Sequence, residues 1–496
     1  MHPTRLTEWH VLAHPVTGDV MQCEAQSEAS DRQGTRETRD VVVVGGGASG
    51  LTAARAAARR GLSVTLLERT MQVGGNLRTH RDGDWQIELG PNTLMMKPPL
   101  HTLLDELGLL DEAQPANPDA RRRYIVYRGA SVALPSHWLK APINSLIGPR
   151  GLGALLCEPF RRRAPQAEES LADFVTRRLG RRTLDHLVDP FVSGVYAGDP
   201  ERLSAQAAMP RLVALEREFG SLVRGGLVRL RQARRAPPAL PREWRGQLVS
   251  FPSGLQRLAA RLAEDITAQS DASIHCECEV NGVYREGEYW RVETAPGQGF
   301  RARELVLAVP APTAAVLLAP LDPQVAAPLE AIAYPPVNAV SVGFRRADIA
   351  HPLDGFGMLI PGVEHRQTLG ALFSSTLFPG RAPSDHVLLT AFLGGRRQPE
   401  AAASDDDAQV AQVVADLSDL LGISGEPVWQ SVSRWLQAIP QYELGHLERI
   451  AALETALERH PGLSLIGNWR DGIAVGDCLE NGRRLGERIA EALNEG

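Results

Sequence analysis

The stretch Asp40-Val41-Val42-Val43-Val44-Gly45-Gly46-Gly47-Ala48-Ser49-Gly50 decides the fold. Its apolar β-branched run predicts a short strand, and the Ala-rich run from Leu51 to Arg60 predicts the helix that follows. Between them lies Gly-x-Gly-x-x-Gly. Gly45 permits the tight turn, Gly47 lets backbone N–H groups approach a pyrophosphate, and Gly50 lets helix and strand pack closely. The N-termini of Ala48 and Ser49 then face the phosphates with the positive end of the helix dipole. A second strand, Ser63-Val64-Thr65-Leu66-Leu67, ends in Glu68, where an acceptor for ribose hydroxyls belongs. An acid there fits a free 2′-OH and disfavours NADP. Strand, turn, helix and acid fall in register for a bound dinucleotide, and by themselves they leave NAD and FAD open.

Outward from this motif, 496 residues exceed one compact core and predict two or three units. A hydrophobic content of 43% is ordinary for a globular chain, and no stretch approaches the roughly 20 apolar residues of a membrane-spanning helix. Lys97 and Lys140 are the only lysines among 53 Lys and Arg residues, and the net charge is −6. That balance excludes a nucleic-acid binder, which needs a basic surplus or a recognisable motif. Arginines cluster at Arg121 to Arg123, Arg161 to Arg163, Arg177 to Arg182 and Arg224 to Arg245. Solvated faces, anionic lipid headgroups and substrate carboxylates all suit such clusters. Cys23, Cys157, Cys276, Cys278 and Cys478 form no C-x-x-C pair, so neither a disulfide framework nor a metal site is expected, and a reducing cytoplasm fits. Cys276 and Cys278 are expected on one face of a strand. Residues 1–38 lack apolar periodicity and read as a disordered extension, without a secretory signal core.

Further along, Trp85 to Leu89 alternates and breaks at Gly90-Pro91-Asn92, Arg122 to Tyr127 reads as a hairpin strand, and Trp138 to Arg217 is mostly helical between prolines. The segment Val73-Gly74-Gly75-Asn76-Leu77-Arg78-Thr79 resembles the second glycine pair of the flavin amine oxidase superfamily, with Asn76 where that family usually has Arg or Lys. This resemblance turns the dinucleotide from NAD to FAD. Three blocks, Glu169 to Phe174, Asp189-Pro190-Phe191-Val192-Ser193-Gly194-Val195-Tyr196 to Pro200, and Leu215 to Leu222, resemble the protoporphyrinogen oxidase family. His351 to Gly357, Leu372-Phe373-Ser374-Ser375 with Phe378 to Pro383, and Ala438-Ile439-Pro440-Gln441-Tyr442-x-x-Gly445-His446 agree with it. So does Gly467-Asn468-Trp469-Arg470-Asp471-Gly472-Ile473-Ala474-Val475, which leads into a helix carrying Cys478.

What the resemblance implies is specific. FAD is bound non-covalently along Gly45, Gly47, Ala48, Ser49, Gly50, Glu68, Arg69, Gly74, Gly75, Asn76, Leu77, Arg78, Gly90, Pro91 and Asn92. Val280, Trp435, Gly467, Ile473, Ala474 and Val475 complete its site. Arg123 pairs with a substrate propionate, while Leu359, Leu372 and Phe392 sandwich the macrocycle, two aliphatics on one side and an aromatic on the other. Gly194 is expected in a turn whose backbone oxygen either faces the pyrrole N–H groups or serves the turn alone. The implied reaction is six-electron oxidation of protoporphyrinogen IX to protoporphyrin IX in haem and tetrapyrrole biosynthesis. It proceeds by three hydride transfers to FAD N5, O2 being the acceptor and H2O2 the by-product. No general base is required, because pyrrole nitrogen electrons drive each hydride loss.

The implied fold is α/β and α+β: a discontinuous Rossmann-type FAD domain (39–119, 250–312, 425–496), a mixed-sheet substrate domain (120–138, 226–249, 313–424) and a helical membrane-facing domain (139–225). The expected location is cytoplasmic, peripheral on the cytoplasmic membrane. Candidate partners are a ferrochelatase or the next pathway enzyme and a second copy of the chain. Three alternatives stay open: coproporphyrinogen III oxidation to coproporphyrin III, an amine oxidase or carotenoid desaturase, and a non-catalytic FAD-containing porphyrin-binding protein.

Overall fold

A computed structural model describes residues 38–134, 146, 148–161, 167–235, 237–295 and 297–495. The expected N-terminal extension, but for Thr38, lies outside the described residues, as do Trp138, Lys140, Arg162 and Arg163.

Among the described residues, the chain builds two seven-stranded sheets. In the first, Thr38–Val44 sits at the centre, parallel to Val64–Leu67 on one side and to Gly299–Leu307 on the other, with Ala272–His275 parallel beyond Val64–Leu67. Val41, Val42 and Val43 are at most 1% exposed, as a parallel strand covered on both faces must be. The far edge of Gly299–Leu307 is shared: its first half pairs antiparallel with Tyr289–Thr294, its second half parallel with Leu463–Leu465.

The helix Ala48–Ala58 and the closing helix Val475–Glu495 lie backbone to backbone. A Cβ added to Gly482 would stand 2.2 Å from Ser49 O, and one at Gly486 would stand 2.3 Å from Ala53 O. Two glycines one turn apart, facing a run of alanines, therefore let the two helices touch. That contact sets the N-terminus of the closing helix beside the N-terminus of the first one.

The second sheet runs in the order Trp429–Trp435, Val337–Arg345, His386–Gly394, Thr368–Leu372, Gly355–Leu359, Arg122–Tyr127, Ala130–Ala133. One face packs Val340, Val342, Leu389, Ala391, Leu393 and Met358 against Val413, Leu417 and Leu420 of the helix Asp406–Leu421. The opposite face meets the helix Asp189–Tyr196 at Leu359 and Trp85 at Gly343. The hairpin of Thr79–Asp82 and Trp85–Glu88 ties the two sheets together. Its Trp85 stacks on Trp429 (5.3 Å, 12°), and its buried Glu88 pairs with buried Arg381 at 2.7 Å.

The structure corrects four local expectations. Gly194 is inside the helix Asp189–Tyr196, which continues the helical turns of 181–188 and ends only where Ala197 takes a left-handed conformation. Cys276 and Cys278 do not share a strand: the strand ends at His275, and Glu277 has φ +53°. Trp429–Trp435, expected in the FAD-binding unit, is an edge strand of the second sheet, antiparallel to Val337–Arg345. At the other boundary, Leu248–Ser250 pairs with Leu94–Met95 and Gln114–Pro115 rather than with the second sheet.

Candidate active site

The first half of the site is a cradle of backbone. The helix Ala48–Ala58 is capped by Gly47, with no side-chain cap and no acid in its first turn, so the N–H groups of Ala48, Ser49 and Gly50 have no partner within the helix. Gly45 has φ +104°, and a Cβ there would meet Ala308 O at 2.5 Å. A Cβ at Gly47 would meet no protein atom within 4 Å, while one at Gly75 would come within 3.0 Å of Gly47 Cα. The two glycine pairs thus face one another around open space at a helix N-terminus. That is the shape and charge a pyrophosphate requires.

Glu68 is 7% exposed. Its Oε2 accepts from Gly46 N–H at 2.8 Å, and its Oε1 accepts from Thr70 N–H at 2.9 Å and Thr70 Oγ1 at 2.8 Å. The carboxylate is held at the strand end with lone pairs remaining for a diol. The segment before Val280 runs alongside: Cys278 N–H donates to Glu68 O at 2.9 Å, and Glu277 N–H to Thr70 O at 3.0 Å. Arg69 is exposed next to this point. Arg78 donates through Nη2 to Thr70 Oγ1 at 3.1 Å, while its Nε is buried and finds no acceptor among the described residues. A buried, unsatisfied guanidinium N–H suits an anionic or polar cofactor edge. The residues present therefore fit FAD.

The segments expected at the isoalloxazine are joined by three chain crossings. Asn76 and Leu77 fold back so that a Cβ on Gly90 would strike Asn76 O at 2.3 Å, and Asn92 Nδ2 donates to Gly90 O at 3.1 Å across Pro91. Trp435 Nε1 donates to Leu89 O at 2.6 Å, joining the edge strand of the second sheet to this loop. The closing turn begins at Gly467, where a Cβ would stand 2.6 Å from Trp469 Nε1. It continues through Ile473 and Ala474 to the helix starting at Val475; Ala474 O accepts from Asp477 N–H and Cys478 N–H at 2.9 and 3.0 Å. Cys478 is buried, and burial pushes its thiol up to about 11, so it packs as a protonated side chain.

The second half is the free face of the second sheet. Register places Leu359 opposite Gly370, Gly370 opposite Phe392, and Phe392 opposite Ala339, all in one row. The next row holds Arg123, Gly357, Leu372, Thr390 and Ser341. Leu359 and Phe392 are two strands apart, about 10 Å at the usual strand spacing, with a residue lacking a side chain between them. That makes a slot between them, with Gly370 low at its base and Leu359 Cδ2 leaning in, 3.5 Å from where a Gly370 Cβ would stand. The helix Asp189–Tyr196 covers it closely: a Cβ on Gly194 would stand 2.3 Å from Leu359 Cδ2. Asp189 pins this cover, accepting from Gly362 N–H at 2.8 Å and from Arg397 Nη1 at 2.6 Å.

Electrostatics distinguish the clustered arginines at the slot's end. Arg122 pairs with Asp354, which also accepts from Tyr124 Oη. Arg123 has no carboxylate partner among the described residues and lies over the Phe356 ring at 4.7 Å. Burial pushes the Glu88 carboxyl up, against the pull of Arg381. Two features went unnoticed in the sequence. One is the hydroxyl group Ser341–Thr390–Ser374 on the slot face, with oxygen separations of 3.1 and 2.9 Å. The other is Tyr442, whose hydroxyl donates to Asn468 O at 2.6 Å and accepts from Gly472 N–H at 3.0 Å. Tyr442 stands in a quoted motif, yet only the fold brings it to the closing turn.

Comparison with known proteins agrees with this geometry. The profile of flavin containing amine oxidoreductases matches residues 48–490. A chloroplastic protoporphyrinogen oxidase of Oryza sativa subsp. japonica is 34% identical, the match covering 95% of this chain and 91% of that protein. A coproporphyrinogen III oxidase of Bacillus subtilis is similar at 25% identity, over 92% of this chain and 98% of that protein. Among solved structures, one from Exiguobacterium sp. 255-15, provisionally assigned as a protoporphyrinogen oxidase, superposes with a TM-score of 0.78 at 26% identity, covering 92% of this chain and all of that one. A glycine cradle that fits FAD, set against a roofed apolar slot, therefore places this chain in the flavin containing amine oxidoreductase family, among the FAD-dependent oxidoreductases related to protoporphyrinogen oxidase.

Proposed function

We propose that this enzyme oxidises protoporphyrinogen IX to protoporphyrin IX, a six-electron reaction of haem biosynthesis, with O2 as the terminal acceptor and H2O2 as the by-product. The observation that carries the reading is the row geometry of the second sheet. An arginine without an acidic partner among the described residues stands at the end of an apolar slot whose other end reaches Trp435 and Leu89. Bound FAD supplies a two-electron acceptor, so the six electrons leave in three pairs.

The residues divide the remaining work. Arg123 offers a bidentate partner to a propionate. Leu359 and Leu372 on one flank and Phe392 on the other hold a flat macrocycle edge-on over Gly370. Gly194 lies in the last turn of its helix, where carbonyls lack intrahelical donors, and its oxygen is placed to accept from pyrrole N–H groups. The helix Asp189–Tyr196 and the Trp435 indole exclude water from the reacting carbon. The FAD-binding unit takes in 39–119, 250–312 and the chain after Trp435.

Peripheral membrane binding belongs to the same reading. Among the described residues, no helix is long and apolar enough to cross a membrane. The helices Gly148–Cys157 and Leu222–Arg235 nevertheless present Leu156 (67% exposed), Leu227 and Leu230, with Phe160 (82% exposed) just beyond the first, and Arg224, Arg231 and Arg234 lie close by. Such a surface would receive an apolar substrate from a cytoplasmic membrane leaflet. A ferrochelatase-type acceptor of the product and a second copy of the chain are the partners this placement suits.

The test is anaerobic mixing of FAD-loaded protein with protoporphyrinogen IX, followed by the yellow absorbance. Bleaching within the mixing experiment is expected. A flavin that stays oxidised would leave only a non-catalytic porphyrin-binding role.

A further inference from the structure

Residues 441–446 stand where three parts of the molecule meet. Tyr442 Oη closes the turn between Asn468 and Gly472, donating at 2.6 Å and accepting at 3.0 Å. Gly472, at φ +131°, is tight enough that a Cβ would stand 2.9 Å from Asp477 Cβ. One phenol thus fixes the loop leading into the closing helix. The same short segment grips the helical cover over the slot. Ser204 N–H donates to Tyr442 O at 2.8 Å, Leu444 N–H to Arg202 O at 2.9 Å, and Gln441 Nε2 to Tyr196 O at 2.8 Å. Glu443 extends the joint to a third element, receiving Arg202 Nε at 2.8 Å and Arg396 Nε at 2.6 Å. Arg396 stands two residues beyond the strand His386–Gly394, which carries Phe392, and its own N–H donates to Ala197 O at 2.8 Å.

His446 explains how the phenol is held. Its ring stacks on Tyr442 at 4.3 Å and 12°, it is 1% exposed, and neither ring nitrogen has a hydrogen-bond partner among the described residues. A buried imidazole without hydrogen bonds contributes by packing alone, and here it fixes the plane of the Tyr442 ring. The chain at this point makes one connected path: cover helix to Gln441, its neighbour Tyr442 to the closing turn, and Glu443 through Arg396 to the chain just beyond the slot strand.

We propose that Tyr442, backed by His446 and tied through Glu443, is a positioning residue that sets the flavin-side turn and couples retention of FAD to the seating of the helix Asp189–Tyr196 over the slot. This rests on the assignment of 467–475 to the flavin. Neither Tyr442 nor Glu443 touches the reacting atoms; each acts through backbone it holds in place. A coupling of this kind needs a connected element that both sites bias, which the 441–446 segment supplies.

The experiment is release of FAD from purified holoenzyme on dilution, followed by flavin fluorescence, with the visible circular dichroism of the bound flavin recorded beforehand. Tyr442→Phe removes one hydroxyl serving two partners and is expected to release FAD about ten-fold faster, with altered flavin dichroism. Glu443→Gln, which alters no hydrogen bond to the turn, is expected to release FAD about three-fold faster because the cover is loosened. A Tyr442→Phe protein with the parent rate and dichroism overturns the positioning role. A Glu443→Gln protein with the parent rate overturns the coupling, and this arm decides the matter if Tyr442→Phe does not fold. Parent protein that neither retains nor takes up FAD is a different failure, that of the flavin assignment itself.

Discussion

Arg122 and Arg123 are adjacent, of one type and both exposed, yet they have opposite surroundings: Asp354 neutralises the first, and among the described residues no acid meets the second. Arg123→Leu is therefore expected to lower kcat/KM for a porphyrinogen by 10- to 100-fold, mainly through KM, with FAD content unchanged. That range is about 1.4–3 kcal/mol, typical of a hydrogen bond to a charged group. Arg122→Leu, at an exposed pair, should change it less than about three-fold. Steady-state kinetics on both variants separates the two cases. His446 gives a second prediction, in stability. Burial holds its imidazole down to about 4 from an ordinary 6.5, with Arg449 pressing the same way and Glu168 opposing. Above pH 6.5 the ring is neutral in both the folded and the unfolded chain. As the pH falls from 6.5 towards 4, the unfolded chain takes up a proton that the folded chain refuses, and stability is lost, by up to about 3 kcal/mol. Denaturant titrations at several pH values should show this loss in the parent protein and its reduction in His446→Phe, which keeps the stack on Tyr442. An equal pH profile in both would assign the acid sensitivity elsewhere.

At the scale of elements, the contact between the first and last helices is the joint on which the cradle depends. Gly486→Ala places a methyl 2.3 Å from Ala53 O, backbone that cannot yield locally. The variant is expected to lose about 2 kcal/mol despite its better helix propensity, and to purify with less FAD. Gly226→Ala, in the helix Leu222–Arg235 with nothing within 4 Å, should be neutral or gain up to about 1 kcal/mol. Thermal melts with flavin quantitation check both. The first strand, its glycine turn, the following helix and the acid at Glu68 were legible because local periodicity and turn chemistry determine them. The slot was legible only through resemblance. Irregularities between Gly355 and Gly357 and between Thr368 and Gly370 shift strand parity, so no alternation count tells which face Leu359, Leu372 and Phe392 share. Trp429–Trp435 escaped for a related reason: a strand joins the sheet that offers hydrogen-bonding partners, and Val337–Arg345 is distant in sequence. Gly194 looked like a turn residue because glycine usually is one, whereas here its missing side chain admits Leu359.

At the scale of the whole molecule, two sheets are joined by the Trp85 hairpin and the buried Glu88–Arg381 pair, with a glycine cradle on one and an apolar slot on the other. The exposed apolar residues of the helical segment should anchor the protein to anionic vesicles. Phe160→Asp with Leu156→Asp is expected to weaken that binding at least ten-fold, because each replaces an exposed apolar side chain by a negative charge that anionic headgroups repel. Sedimentation with vesicles at low and high salt checks it, and equal binding by parent and variant would remove this surface from the account. The claim on which everything else rests is the reaction. Its most direct test is aerobic turnover of FAD-loaded protein with protoporphyrinogen IX and coproporphyrinogen III side by side, measuring porphyrin fluorescence and peroxide together. The account predicts faster oxidation of protoporphyrinogen IX, with peroxide approaching three per porphyrin formed. Preference for coproporphyrinogen III, or no turnover of either while the flavin stays oxidised, would contradict it.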